Sequence, residues 1–290
     1  MTAVPAWSSS PGTAKPVRAI VAASILLLIV LAAVFAPWIA PQNPYDMNAV
    51  SIMDGRLPPG SVGDAGFTFW LGSDDQGRDM LSAILYGLRV SLFVGFAVTL
   101  GAAVIGSIMG LTAAMAGGVI DSIIMRFVEL QLSFPAMLIA LMLVATVGSG
   151  LDKIIFAIIA VQWAFYARTI RSAAQVEVRK DYIEAARCLS LSRWRIMTVH
   201  LLPNCLSVLL VIANILMANA IVIEATMSFL GLGLPISRPS LGRLIANGFD
   251  YLLNGSYWIS LFPGVVLVVV IYCINIIGDD LRRFLNPRGL

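Results

Sequence analysis

The chain has 290 residues, of which 59% are hydrophobic and only 12% charged, and its mean hydropathy is +0.90. Soluble domains carry about 45–50% apolar and about 25% charged residues, so this composition excludes an ordinary soluble globule and indicates several membrane crossings. Cys188, Cys205 and Cys273 are scattered without metal-ligand spacing or a disulfide framework, and the net charge of +3 tells less than its distribution.

In chain order, a cytoplasmic tail over 1–18, holding Lys15 and Arg18, precedes the first apolar run. A signal peptide is the competing reading, but the small residues Ala36 and Ala40 are each followed by proline (Pro37, Pro41) and further spans follow. An uncleaved first helix over 19–37 is therefore expected. A bilayer core of roughly 30 Å needs about 20 apolar helical residues. Five more segments meet that requirement: 90–115, 121–147, 152–173, 205–230 and 257–279. Pro135 and Pro263 inside the third and sixth are tolerable where neighbours satisfy the freed carbonyls. The loop 38–89 is rich in Pro, Gly and Asp and reads as turns. Gly106-x-x-x-Gly110, with Gly95 and Gly101, predicts close helix packing, within the chain or with a partner.

Orientation follows lysine and arginine. A basic island over 168–204 holds Arg168, Arg171, Arg179, Lys180, Arg187, Arg193 and Arg195, whereas the loop 38–89 is acidic on balance. The consistent solution places both termini and the island in the cytoplasm, with 38–89 periplasmic, a membrane core over 90–280 and a tail over 281–290.

Within the island, two short helices are expected, Asp181 to Leu189 and Arg193 to Leu202, with Ser190 or Ser192 capping the second and Pro203 breaking it from the fifth span. Ala185-Ala186 offers a small-faced surface, and Glu184 with nearby apolar residues is available to a partner's cleft. Contact with anionic lipid is the plainer alternative. Among polar residues in the spans, Glu129 is expected to pair with Arg126, while Glu224 either caps a neighbouring helix or lines a path. Gln162, Asn214, Asn219 and Asn275 suit hydrogen bonds between helices. The candidates for path or interhelix roles are thus Glu129, Gln162, Asn219 and Glu224. The chain has one histidine, three lysines and no Gly-x-x-x-x-Gly-Lys phosphate loop, so no catalytic residue or metal site is assigned.

Glu184-Ala185-Ala186, with Leu202-Pro203 in register, resembles the EAA loop of the membrane subunits of bacterial ATP-binding-cassette importers. Ser190 stands where the family has glycine, and His200 where the general pattern has isoleucine; histidine there is common in the peptide branch. Leu71 to Ser82 with Tyr86 to Leu92, Met125-Arg126-Phe127 through Ser133-Phe134-Pro135, and Glu224-Ala225 through Gly233 are similar to dipeptide and oligopeptide permeases. A first helix followed by a long loop resembles the C-type subunit of the non-identical permease pair.

The resemblance implies an all-α, six-helix type I importer permease in the bacterial inner membrane, itself non-catalytic. Coupling would run through the loop 174–204, by Glu184, Ala185, Ala186, Ser190, His200, Leu202 and Pro203. Implied partners are two cytoplasmic ATPase subunits carrying ATP and Mg2+, a second homologous permease subunit, a periplasmic solute-binding protein and the lipid bilayer. No nucleic acid is expected, and this chain should bind no cofactor. Nickel chelates, glutathione or modified peptides are alternative cargoes. A stand-alone channel or secondary transporter would require a filter ring or paired broken helices, which the sequence does not display.

Overall fold

A computed structural model describes residues 17–46, 50–64, 66–235 and 238–285; Lys15 and Arg288, counted above as cytoplasmic charges, lie outside them. The described chain is a helical assembly. Its first helices are α1 (Val17–Val34) and the short α2 (Ala36–Ile39), followed by a loop with a 3-10 turn (Ile52–Asp54) and a two-stranded hairpin, β1 (Ser61–Val62) and β2 (Thr68–Phe69). Then come α3 (Met80–Ala116), α4 (Gly118–Leu132), α5 (Ala136–Val147), α6 (Leu151–Glu177), α7 (Asp181–Cys188), α8 (Arg193–Arg195), α9 (Leu202–Phe229), α10 (Leu241–Phe249) and α11 (Trp258–Leu285). Five helices are long and apolar enough to cross a bilayer, six if the bent α4–α5 pair counts as one span.

The 37-residue α3 is the axis of the assembly. It begins ten residues before the expected 90, because Asp79 caps it: the carboxylate accepts from the Ser82 amide at 2.8 Å and the Ser82 hydroxyl at 2.6 Å. The small-residue stripe of α3 packs inside the chain. A Cβ at Gly106 would lie 2.6 Å from the Trp163 carbonyl oxygen, and one at Gly110 would lie 2.6 Å from that of Ala167. Only glycine lets α3 approach the α6 backbone so closely. One core cluster joins α1, α3, α9, α10 and α11 around Met80, Ile221 and Trp258, and another joins α3, α5, α6 and α9 around Val98, Ile158 and Met227. Leu28, Met142 and Val268 point outward and exposed, as side chains facing lipid must.

Two proline expectations need correcting. The third span is not one tolerant helix: it turns by 87° between α4 and α5. Pro135 lacks an amide hydrogen and disfavours helical geometry at Phe134, so the helix stops there. The Ser133 hydroxyl donates to the Glu129 carbonyl at 2.7 Å, and Gln131 Nε2 donates to the α6 carbonyls of Ala160 and Val161 at 2.7 and 2.8 Å. This is the single broken span among the described residues, not the pair that a secondary transporter would show. At Pro203 the opposite happens. The expected break is absent, because α8 runs into α9 through a π-helical turn over Ile196–Leu201. The wider turn accommodates the proline ring, and Asn204 Nδ2 donates to the His200 carbonyl at 2.6 Å.

Candidate functional site

The island is built from the end of α6, α7 and the start of the α8–α9 helix. Acidic Asp181 and Glu184 in the first turn of α7, and Arg187 in its last, complement the helix dipole. One face of α7 is a foot: Ile183 and Ala186 are buried against Leu111, Ile170, Ala174, Ile196, Leu201 and Cys205. The other face stands clear, exposing Glu184, Ala185, Arg187, Cys188 and Leu189. Leu189 is 74% exposed and Trp194, across the turn, 64%.

The alanine pair is therefore split. Ala185 faces outward, whereas Ala186 packs beneath α7 and does not belong to the exposed small-residue face expected for it. Its small size instead lets α7 lie close to the helices below.

Ser190 has φ of +55°, in the left-handed region where glycine is the usual occupant. Its amide donates to the Arg187 carbonyl at 2.9 Å, and the Leu191 amide donates to that of Ala186 at 3.2 Å. Those two bonds define a Schellman cap, so the turn keeps glycine geometry with a serine in it. Ser192 then caps α8, accepting from the Arg195 amide at 3.3 Å. Further along, His200 and Leu202 are half-buried in the π turn and its exit, and Pro203 is exposed.

Behind α7, the Glu177 carboxylate accepts from Lys180 at 2.6 Å and from the Tyr182 hydroxyl at 2.8 Å, bracing the hinge between α6 and α7. Arg171, one of the island's basic residues, is paired: its guanidinium forms a bidentate pair with Asp121 of α4, one bond at 2.6 Å. Asp121 escaped the sequence reading because its partner lies fifty residues away. A recess of about 640 Å3 on the exposed side of α7 is lined by Arg179, Lys180, Glu184, Arg187 and Cys188.

The polar residues of the spans separate by environment. Glu224 is fully buried and accepts from the Ser91 and Ser228 hydroxyls, both at 2.9 Å. Gln162 is buried and donates across to the α9 carbonyl of Leu216 at 3.3 Å. Asn214 donates to the α11 carbonyl of Ile274 at 2.8 Å, whereas Asn219 is exposed. Glu129 meets Arg126 at 3.8 Å, with both side chains largely exposed.

The segment 71–82 is not a surface loop. Asp74 and Arg78 form a buried pair at 2.6 Å, and Asp74 also accepts from the amides of Gln76 and Arg78. Gln42 accepts from the Asp79 amide at 2.7 Å, and Trp258 Nε1 donates to the Ser73 carbonyl at 3.1 Å. Gly72, at φ +82°, lets that indole approach. These residues tie the loop after α2, the start of α3 and the start of α11 together at one end of the molecule.

The described chain is thus a helical assembly with five or six candidate membrane spans and a short helix, α7, seated on their ends with its outer face exposed. Residues 102–289 match the family model of the binding-protein-dependent transport system inner membrane component, and residues 17–59 match that of the N-terminal TM domain of oligopeptide transport permease C. The chain belongs to the family of binding-protein-dependent transport inner-membrane components, multi-pass proteins of the bacterial inner membrane. It is 40% identical over 264 residues, 91% of this chain and 86% of the other, to a Brucella suis protein named provisionally as a peptide transport system permease. It is 36% identical to the dipeptide transport system permease protein DppC of Escherichia coli K12 (93% and 89% covered) and 34% identical to the di/tripeptide transport system permease protein DppC of Pseudomonas aeruginosa (91% and 86%). Its fold is shared with a chain from the inward-facing MetNI methionine ABC transporter, at a TM-score of 0.58 and 21% identity, covering 71% of this chain and 97% of that one.

Proposed function

We propose that this chain is one of two homologous permease subunits through which di- or oligopeptides are imported across the inner membrane. In this reading the island is cytoplasmic and the 38–79 side periplasmic. Two separate ATPase subunits bind ATP and Mg2+, hydrolyse the nucleotide and grip this chain by α7. A periplasmic binding protein delivers the peptide.

The observation that carries the reading is the seating of α7. Its foot is packed into the helix ends and braced by Glu177, while Glu184, Ala185, Arg187 and Leu189 are presented outward. A helix held this way moves as a lever rather than fraying. Displacement at α7 passes into α6 and, through the unbroken α8–α9 helix, into the bundle. Peptide cargo is supported by the relatives named above, whose names specify dipeptides or peptides.

The test combines two strains. Deletion of this subunit should abolish growth on di- and oligopeptides as sole amino-acid source. Glu184→Arg or Ala185→Trp should insert normally yet lose ATPase co-purification and uptake. Unchanged uptake of every peptide after deletion defeats the cargo; normal assembly and transport by the α7 variants defeats the docking role.

A further inference from the structure

At the Met80 end of α3, assigned above to the periplasmic side, a recess of about 500 Å3 opens between Tyr45, Arg89, Val90, Phe93, Leu234 and Arg238. Its size and mixed lining, apolar walls with a few polar groups, suit a small organic ligand. None of the described residues that line it is acidic.

Several arginines of the described chain, Arg168, Arg193 and Arg195 among them, make no ion pair; what sets Arg89 and Arg238 apart is that they share one recess whose described lining holds no carboxylate. Arg78, Arg126, Arg171 and Arg283 each have a carboxylate partner, and Arg56 lies over the Tyr251 ring at 5.1 Å. Arg89 and Arg238 have no ion pair among the described residues, although both lie close enough to Tyr45 for their charge to bear on its phenol. Arg89 also stands apart within its own motif. Asp74, Arg78, Asp79 and Ser82 are consumed by buried hydrogen bonds, while Arg89 is exposed and points to no structural duty. Two like charges sharing one recess repel each other unless an anion joins them. Tyr45 is held edge-on to Tyr86, with ring centroids 5.1 Å apart, and supplies a neutral hydroxyl donor beside them.

We infer that this recess receives the C-terminal carboxylate of the translocating peptide, with Arg89 and Arg238 as its cationic clamp and Val90, Phe93 and Leu234 against the terminal side chain. Guanidinium groups bind carboxylates through paired hydrogen bonds, and the lack of an acidic lining residue leaves the peptide's ammonium end no partner here. The carboxylate therefore leads into the recess and the amine trails toward the open side. The inference rests on the peptide reading above and adds an orientation to it.

The test uses the whole transporter in proteoliposomes with its binding protein and ATP, supplied with a panel of radiolabelled zwitterionic di- and tripeptides. The R89Q/R238Q pair should lower uptake at least tenfold, while ATPase stimulation by the loaded binding protein stays within twofold of wild type. R89K/R238K should recover a substantial part of the uptake. Unchanged uptake by the glutamine pair overturns the inference. So does a parallel loss of ATPase stimulation, which would make the arginines a docking surface for acidic residues of the binding protein. If wild type imports no peptide of the panel, the peptide reading itself falls and this inference with it. Should the pair fail to assemble, R238Q, altering an exposed loop residue, carries the same test.

Discussion

Replacing Ser190 by glycine should tighten the turn that follows the coupling helix. Ser190 sits at φ +55°, and its side chain makes no hydrogen bond among the described residues, so glycine removes strain without removing a bond. A non-glycine residue in the left-handed region costs about 1–2 kcal/mol. Glycine's greater freedom in the unfolded chain returns about 0.5–1 kcal/mol of that. The net gain is about 0.5–1 kcal/mol, equivalent to about a two- to fivefold slower opening of the cap. The assay is hydrogen exchange at the Ser190 and Leu191 amides, whose acceptors are the Arg187 and Ala186 carbonyls. Ser190→Val, which cannot relax a branched Cβ there, should speed the same exchange. A glycine variant that exchanges as fast as wild type, or a valine variant that exchanges no faster, would refute the left-handed assignment.

Further outcomes follow from the same packing. Arg78→Ala strands the buried Asp74 carboxylate and should cost about 3–5 kcal/mol, read as a lowered thermal midpoint in detergent, whereas Asp74→Leu with Arg78→Met should cost much less than either single change. Burial, reinforced by the charge of Asp74, pushes the Asp75 carboxyl above its ordinary range, and burial does the same at Asp79 against the opposing bonds from Ser82. A raised carboxyl favours the native state when protonated, a contribution complete below about pH 3.9 and lost as pH rises through the folded value. Asp75→Asn should accordingly raise the thermal midpoint at pH 7.5 and leave it nearly unchanged near pH 4. Glu224→Gln keeps one acceptor oxygen and turns the other position into an amide that donates to a serine oxygen, so it should preserve assembly, while Glu224→Ala should lower stability by about 1–3 kcal/mol.

Much of the island was legible because its order is local. A capped pair of short helices needs only Asp181, Glu184, Ser190 and Ser192 at the right spacing, and these sit within a dozen residues. Spacing alone does not reveal which side of α7 faces down, and Ala186, expected on the surface, belongs to the foot. The prolines misled in both directions. Pro135 breaks its helix because its ring carries no amide hydrogen and disfavours helical geometry at Phe134, whereas Pro203 does not break its own because a π turn absorbs the ring.

In sequence, residues 71–82 show only their similarity to peptide permeases. In the fold they form a buried knot, with Gln42 reaching Asp79 across 37 residues and Trp258 reaching Ser73 across 185. Partnerships that distant leave no periodic trace in a sequence.

Cys188 offers the most direct measurement of the central claim that α7 is the grip for a separate ATPase. It is the exposed cysteine of the described chain, on the outward face of α7, while Cys205 and Cys273 are buried. A short bifunctional maleimide added to the intact transporter should join Cys188 to a co-purifying ATPase subunit carrying a cysteine in its docking cleft. The product should vanish with Cys188→Ser and change in yield when ATP is bound. Assembly of an active transporter in which Cys188 is never joined to the ATPase, and reacts with a soluble thiol reagent as freely as in the subunit alone, would contradict the account.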